Sequence, residues 1–303
     1  MTKQTELHGL VGSNPLGFLA ALGVQVALEF ADKPAALRWA DTPLPYPSLS
    51  GDVELEAIAE AALGIAKHWL GGPALASGVD IKLKLSRSEI TDYLRRARAE
   101  GSAGALAQCL VAENSLDKQR KAKPSDLYFT AGQMKFLTMA REILGEVTGE
   151  ELIADMTGPW GYDGNRPSLM WDVVDDRVYA LRAMDPSSEQ KLSNPGAEAL
   201  ALMGLSLYPC FRSPTGTVSQ GCAGSWKRGS FTWPLWGRPA SLATVKALLA
   251  HASAPGVGES DVRSNVSSYV GWGIIEIMQA QIRRSDQGGY GTFGPARVIW
   301  RRD

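Results

Sequence analysis

The chain has 303 residues, 45% apolar and 21% charged, a folded globular composition that excludes a disordered chain. Its 31 basic and 32 acidic residues leave a formal charge of −1, which by itself announces no polyanionic partner. Three scattered cysteines (Cys109, Cys210, Cys222) form no CxxC pair, which excludes a zinc knuckle and a disulfide framework and points to reduced thiols.

The first element is a buried helix from Pro15 to about Ala31. Asn14 suits the cap, Pro15 the first helical position, and Leu16, Leu19, Leu22, Val26 and Phe30 recur near helical spacing. This stretch is too short for a membrane span and is interrupted by Gln25 and Glu29. The residues before it lack the pattern of a signal peptide, so a cytoplasmic location is expected. Leu37–Trp39 reads as a strand, Pro43, Pro45 and Pro47 as an extended connector, and 54–70 as a second helix. Further helices are expected over 88–99, capped by Ser88, and over 102–111. Residues 113–126 read as a polar, basic, mobile loop.

Leu127–Phe129 reads as a strand, followed by helices over 132–144 and 151–156. Residues 158–164 form an aromatic turn, and 171–172 and 178–183 resemble strand fragments. A second Asn-Pro pair, Asn194-Pro195, opens a helix to Leu205. Strands are expected over 208–210, 217–220 and 230–233, then a helix over 243–251 capped by Ser241. Residues 264–284 have a helical pattern that Gly271 and Gly273 interrupt, and 296–300 reads as a terminal strand. The fold class expected is α+β, helix-rich with small antiparallel sheets. A boundary in 113–126 would divide a helical lobe with small strands (1–125) from an α+β lobe (126–303), one continuous domain being the alternative.

The small net charge conceals four blocks. Residues 1–80 carry 4 basic and 9 acidic side chains, 81–124 carry 10 and 5, 125–186 carry 5 and 11, and 187–303 carry 12 and 7. Such alternation predicts a polarised surface.

Catalytic constellations are sparse. His8, His68 and His251 are far apart, and neither a phosphate-binding GxxxxGK[ST] loop nor a GxSxG elbow is present. Cys109 lies in an apolar helical pattern and reads as core. The remaining acid–base or metal-binding set is Asp155, Asp163, Asp172, Asp175, Asp176 and Asp185, several of which stand where turns favour Asp. Binding features are richer. Lys118, Arg120, Lys121 and Lys123 put four cations in six residues. Trp226 precedes Lys227 and Arg228, a mixture suited to stacking and phosphate contact, whereas Trp233 and Trp236 read as sheet anchors. Arg283, Arg284 and Arg297 form a third basic group.

The segment Gly12-Ser-Asn14-Pro15-Leu-Gly17-Phe18-Leu-Ala-Ala-Leu22-Gly23 resembles the N-terminal signature of CRISPR-associated proteins of type I-G (formerly I-U) systems. Residues 132–137, 158–160, 179–186 and 232–236 fit the same resemblance, which spans about 8–300 and rests on packing and turn motifs. It covers large-subunit-like proteins of the Cascade effector and an extension family associated with the helicase–nuclease. It implies a non-catalytic subunit or accessory that helps recognise target DNA or recruit the helicase–nuclease, with guide RNA supplying sequence specificity. The expected partners are other Cas subunits, guide RNA, target DNA and the helicase–nuclease; neither membrane nor cofactor is expected. The expected nucleic-acid contacts are the nine basic residues above. The alternatives are a protein–protein adaptor and a metal-dependent nuclease built on Asp155–Asp185.

Overall fold

A computed structural model describes residues 4–76, 83–129, 135–173, 192–213, 216–254, 262, 265–284 and 291–302. Helix α1 (Pro15–Phe30) starts where the sequence places it: the Asn14 side chain accepts the Leu16 N–H at 3.1 Å. Every residue from Pro15 to Leu28 is buried, the pattern of a helix enclosed on all sides. Helix α7 (Pro195–Leu205), opened by the second Asn-Pro pair, is also enclosed. The two cross in backbone contact, Gly23 against the Leu200 carbonyl and Gly204 against the Leu19 carbonyl, where any Cβ would overlap an oxygen. Around this pair lie α2 (Leu55–Gly71), α5 (Phe136–Glu146), α6 (Gly149–Thr157) and α8 (Leu242–Ala252). Among the described residues, no helix is long and apolar enough to cross a membrane.

The strands form small antiparallel sheets, as the α+β reading requires. Strands β1 (Gln4–Glu6), β3 (Pro47–Ser50) and β2 (Leu37–Trp39) pair in that order. The largest sheet runs β11 (Gly291–Phe293), β10 (Ile274–Arg284), β9 (Arg228–Trp236), β8 (Cys222–Ser225), with β12 (Arg297–Arg301) also paired to β10. Its inner face carries an aromatic column: Trp39, Phe18, Trp233, Phe231, Phe293 and Phe129, with successive ring centroids 5.0–5.8 Å apart. Trp233 and Trp236 anchor this sheet through indole N–H bonds to the carbonyls of Gly12 and Leu37. One buried core runs through both the 1–125 and 126–303 segments.

Several local expectations are corrected. The basic stretch 113–126 is a hairpin, β4 (Val111–Leu116) with β5 (Ala122–Pro124). Its Asp117 carboxylate accepts the backbone N–H of Gln119 and Lys121, both at 2.9 Å, and Arg120 takes the left-handed conformation that the turn needs. It packs beside a second hairpin, β6 (Cys210–Ser213) with β7 (Gly216–Ser219), through Ser115 and Thr217 hydroxyls 2.6 Å apart. The third helix, α3 (Arg87–Arg98), is capped by Ser86, not Ser88, because Glu89 closes a capping box onto the Ser86 N–H; α4 (Ser102–Leu110) follows. Residues 264–284 are not one helix: after the short α9 (Val266–Gly271), Gly273 turns with φ +78° into β10. Leu127–Phe129 and Trp171-Asp172 are not strands; their backbone leads the chain through turns. The fragment at 178–183 lies outside the described residues.

Candidate nucleic-acid interface

Antiparallel register places three of the expected arginines on the outer face of the large sheet. Ser225, Arg228, Arg283 and Thr292 form one rung across β8, β9, β10 and β11. Two residues further along β10 the rung is Ala223, Ser230 and Gln281, and the next is Thr232, Gln279 and Arg297. In-register residues project from the same face, so Arg228, Arg283 and Arg297 share one side of the sheet, opposite Ile282, Ala280, Phe231 and Trp233, although Thr232 and Gln279 of the third rung are buried there. All three arginines are exposed, and Arg297 donates to the Gln279 side-chain oxygen at 3.1 Å. Four residues separate the first and third rungs, about 13 Å along a strand. Arg228 and Arg283 face each other directly across β9 and β10.

Arg284 points the other way. Its guanidinium carbon lies 3.6 Å from the Trp226 ring centroid and 5.3 Å from that of Phe129. It donates to the backbone oxygens of Trp226 and Asp126. Burial raises the Asp126 carboxyl above its ordinary value, against the Ser219 N–H bonded to it and the charges of Arg284 and Lys123. Arg284 and Lys123 therefore converge on Asp126, with Arg284 clamping the Trp226–Lys227 turn to the end of β5. Lys227 is exposed at that turn. Lys118 and Arg120 are exposed at the β4–β5 turn, where Lys121 is half-buried, and Lys84 pairs with Asp117 at 3.3 Å. The nine expected basic residues thus occupy one sheet face, a clamped turn and a hairpin.

The acidic set is engaged in structure. Asp155 accepts the Ala197 N–H at 3.0 Å at the start of α7, and burial pushes its carboxyl up to about 6. Asp172 accepts from Asn14 at 2.9 Å and from the Tyr162 hydroxyl at 3.2 Å. Asp163 is exposed and accepts the Asn165 N–H. Asp175, Asp176 and Asp185 lie outside the described residues. Among those described, no three His, Cys, Asp or Glu are grouped to hold a metal ion. Burial raises all three cysteine thiols, Cys210 to about 12, which keeps them as poorly nucleophilic thiols.

The helix caps also frame a cavity of about 670 Å³ lined by His8, Val11, Asn14, Thr157, Trp160 and Tyr162, with Gly9, Gly158 and Pro159. Its Trp160 and Tyr162 rings lie 6.3 Å apart at 80°. Tyr162 has φ +53°, a left-handed conformation held by Asn194, which accepts its N–H, and by the bond to Asp172.

No protein-family model matches the chain, and no curated protein matches its sequence. Sequence reasoning found the cations but missed Asp126 and Phe129 as the partners of Arg284. The pair Arg284 and Asp126 is 158 positions apart, and no local pattern marks it. Trp226 beside Lys227 was the available signal.

Proposed function

We propose that the chain is a non-catalytic, nucleic-acid-binding subunit or accessory of a type I CRISPR effector complex. It contacts phosphate through the outer face of the large sheet and docks partner subunits through its acidic segments. The observation that carries the nucleic-acid half is the facing Arg228–Arg283 pair with Arg297 on the same face. The three side chains are exposed and stand at a spacing that a phosphate backbone can follow. The effector assignment rests on the sequence resemblance to type I-G proteins. In this reading guide RNA carries sequence specificity, so the chain needs phosphate contacts and few base contacts.

The test is fluorescence anisotropy with labelled single-stranded and duplex DNA and RNA across a salt series. Binding that weakens steeply with salt is the expected outcome. Absence of binding at low salt would refute the nucleic-acid half. Co-purification with type I-G effector subunits tests the assembly half, and failure to associate with a reconstituted complex would refute it. Alanine at Lys118, Arg120, Lys121 and Lys123 together measures the share carried by the hairpin.

A further inference from the structure

Trp226 stands at the tip of the β8–β9 hairpin. Ser225 pairs with Arg228, so Trp226 and Lys227 are the two residues of the turn. The ring is held in place. The Arg284 guanidinium lies 3.6 Å from its centroid and covers one face, and Arg284 also donates to the Trp226 carbonyl at 3.1 Å. Behind the guanidinium lie the Asp126 carbonyl, which accepts from it, and the Phe129 ring, which is fully buried. Phe129, Arg284 and Trp226 thus lead in series from the core to the surface. With one face covered, Trp226 still has 36% of its surface exposed, so its outward side is open. A ring already fixed in this way loses little side-chain freedom when a second ring stacks on it.

The neighbours select that second ring. Gly224, Ser225, Lys227 and Arg228 are all exposed, and residues 224–228 carry two cations and no carboxylate. The nearby Asp126 carboxylate lies on the covered side of the ring, within the field of Arg284 and Lys123. An open aromatic face flanked by cations suits a polymer that joins a flat ring to an anion in every unit. Single-stranded nucleic acid is such a polymer. A duplex fits less well, because its bases are already stacked and paired within the helix.

We infer that Trp226 is a stacking platform for one unpaired base, so that the hairpin tip takes single-stranded nucleic acid in preference to duplex. This rests on the phosphate-binding reading proposed above, and it adds the state of the strand and the residue that meets a base. Lys227 and Arg228 take the phosphates that flank the stacked base. Arg284, expected from sequence as a phosphate contact, is instead a positioning residue that fixes the Trp226 ring from behind.

Anisotropy titrations compare a labelled oligothymidylate with an abasic strand of the same length, which keeps the phosphates and lacks the bases, and with a duplex. Wild type is expected to bind the oligothymidylate about 5- to 150-fold more tightly than the abasic strand. Trp226→Leu is expected to remove that preference with little change in salt slope, and Trp226→Phe, which keeps a ring, to retain part of it. The emission that Trp226→Phe lacks is that of Trp226, and the oligothymidylate is expected to quench it where the abasic strand does not. Arg228→Gln/Arg283→Gln/Arg297→Gln is expected to lower the salt slope and keep the preference. Equal affinity of wild type for the two single strands, tighter binding of the duplex, or a preference retained by Trp226→Leu would overturn the inference and leave the phosphate reading standing. Binding of none of the three at low salt would overturn both. The strand comparison on wild type needs no variant, so a substitution that fails to fold does not shelter the inference.

Discussion

Replacing Arg228, Arg283 and Arg297 together by glutamine removes three outward cations and leaves the inner face of the large sheet untouched. If each contacts one phosphate, the slope of log affinity against log salt falls by about 2.7 for duplex DNA and about 2.1 for a single strand. Between 50 and 200 mM salt, a fourfold rise, the wild-type chain should therefore lose about 40-fold more duplex affinity than the variant, or about 20-fold more for a single strand. Stability should hardly change: all three side chains are exposed, and exposed substitutions usually stay within about 0.5 kcal/mol, so the unfolding midpoint should hold. Anisotropy titrations at four or more salt concentrations, paired with thermal unfolding, read both effects. Parallel slopes for wild type and variant would refute the assignment of this face, because counterion release depends on how many phosphates are neutralised and not on local fold.

Asp155 sets a pH dependence. Its carboxyl is raised by burial from 3.8 to about 6, so between these values the folded chain holds a proton that the unfolded chain has released. This group's contribution therefore falls as pH rises from 4 to 7, by about 3 kcal/mol at most. Asp155→Asn keeps an acceptor for the Ala197 N–H and should flatten the urea-unfolding profile over that range; an unchanged profile would refute it. Gly23→Ala should cost about 3 kcal/mol or more in a chemical denaturation experiment, since its methyl meets the Leu200 carbonyl and forces the two central helices apart. Asp117→Ala removes the acceptor of two turn N–H groups and should destabilise by about 1 kcal/mol, with faster proteolytic cutting at 118–121; unaltered cutting would count against the turn's dependence on that carboxylate.

Local chemistry made parts of the fold legible. Asn14-Pro15 and Asn194-Pro195 announced α1 and α7 because Pro suits the first helical position; the Asn14 side chain also caps α1, whereas Asn194 gives its side-chain oxygen to the Tyr162 N–H and caps nothing with it. Strand β10 escaped because its residues from Ile274 to Ala280 are buried on both faces, which erases the alternation that identifies a half-exposed strand. The 113–126 stretch read as a loop because its cations dominate the composition, while the bonds from Asp117 that shape the hairpin are invisible to composition. At the interface, residue types were legible and geometry was not. Lys227, Arg228, Arg283 and Arg297 stood out as cations, but only the β9–β10–β12 register shows that three arginines share a face and that Arg284 faces the opposite side. The aromatic cavity joins 8–14 to 157–162, and neither segment alone implies a pocket.

The crossing of α1 and α7 also sets a timetable for synthesis. Gly23 and Gly204 are 181 positions apart, and Trp233, which reaches back to Gly12, comes later still. At about 5–20 residues per second, α1 leaves the ribosome roughly 10 to 35 s before the helix that covers it exists. For that interval a helix whose residues 15–28, all but Gln25 lacking a polar side chain, are destined for burial is exposed to water and to other nascent chains. Ribosome-bound chains ending before residue 195 should therefore hold a chaperone that chains extended well past Trp236 release. A cell making this protein is committed to sheltering its first helix until most of the remaining chain has been translated.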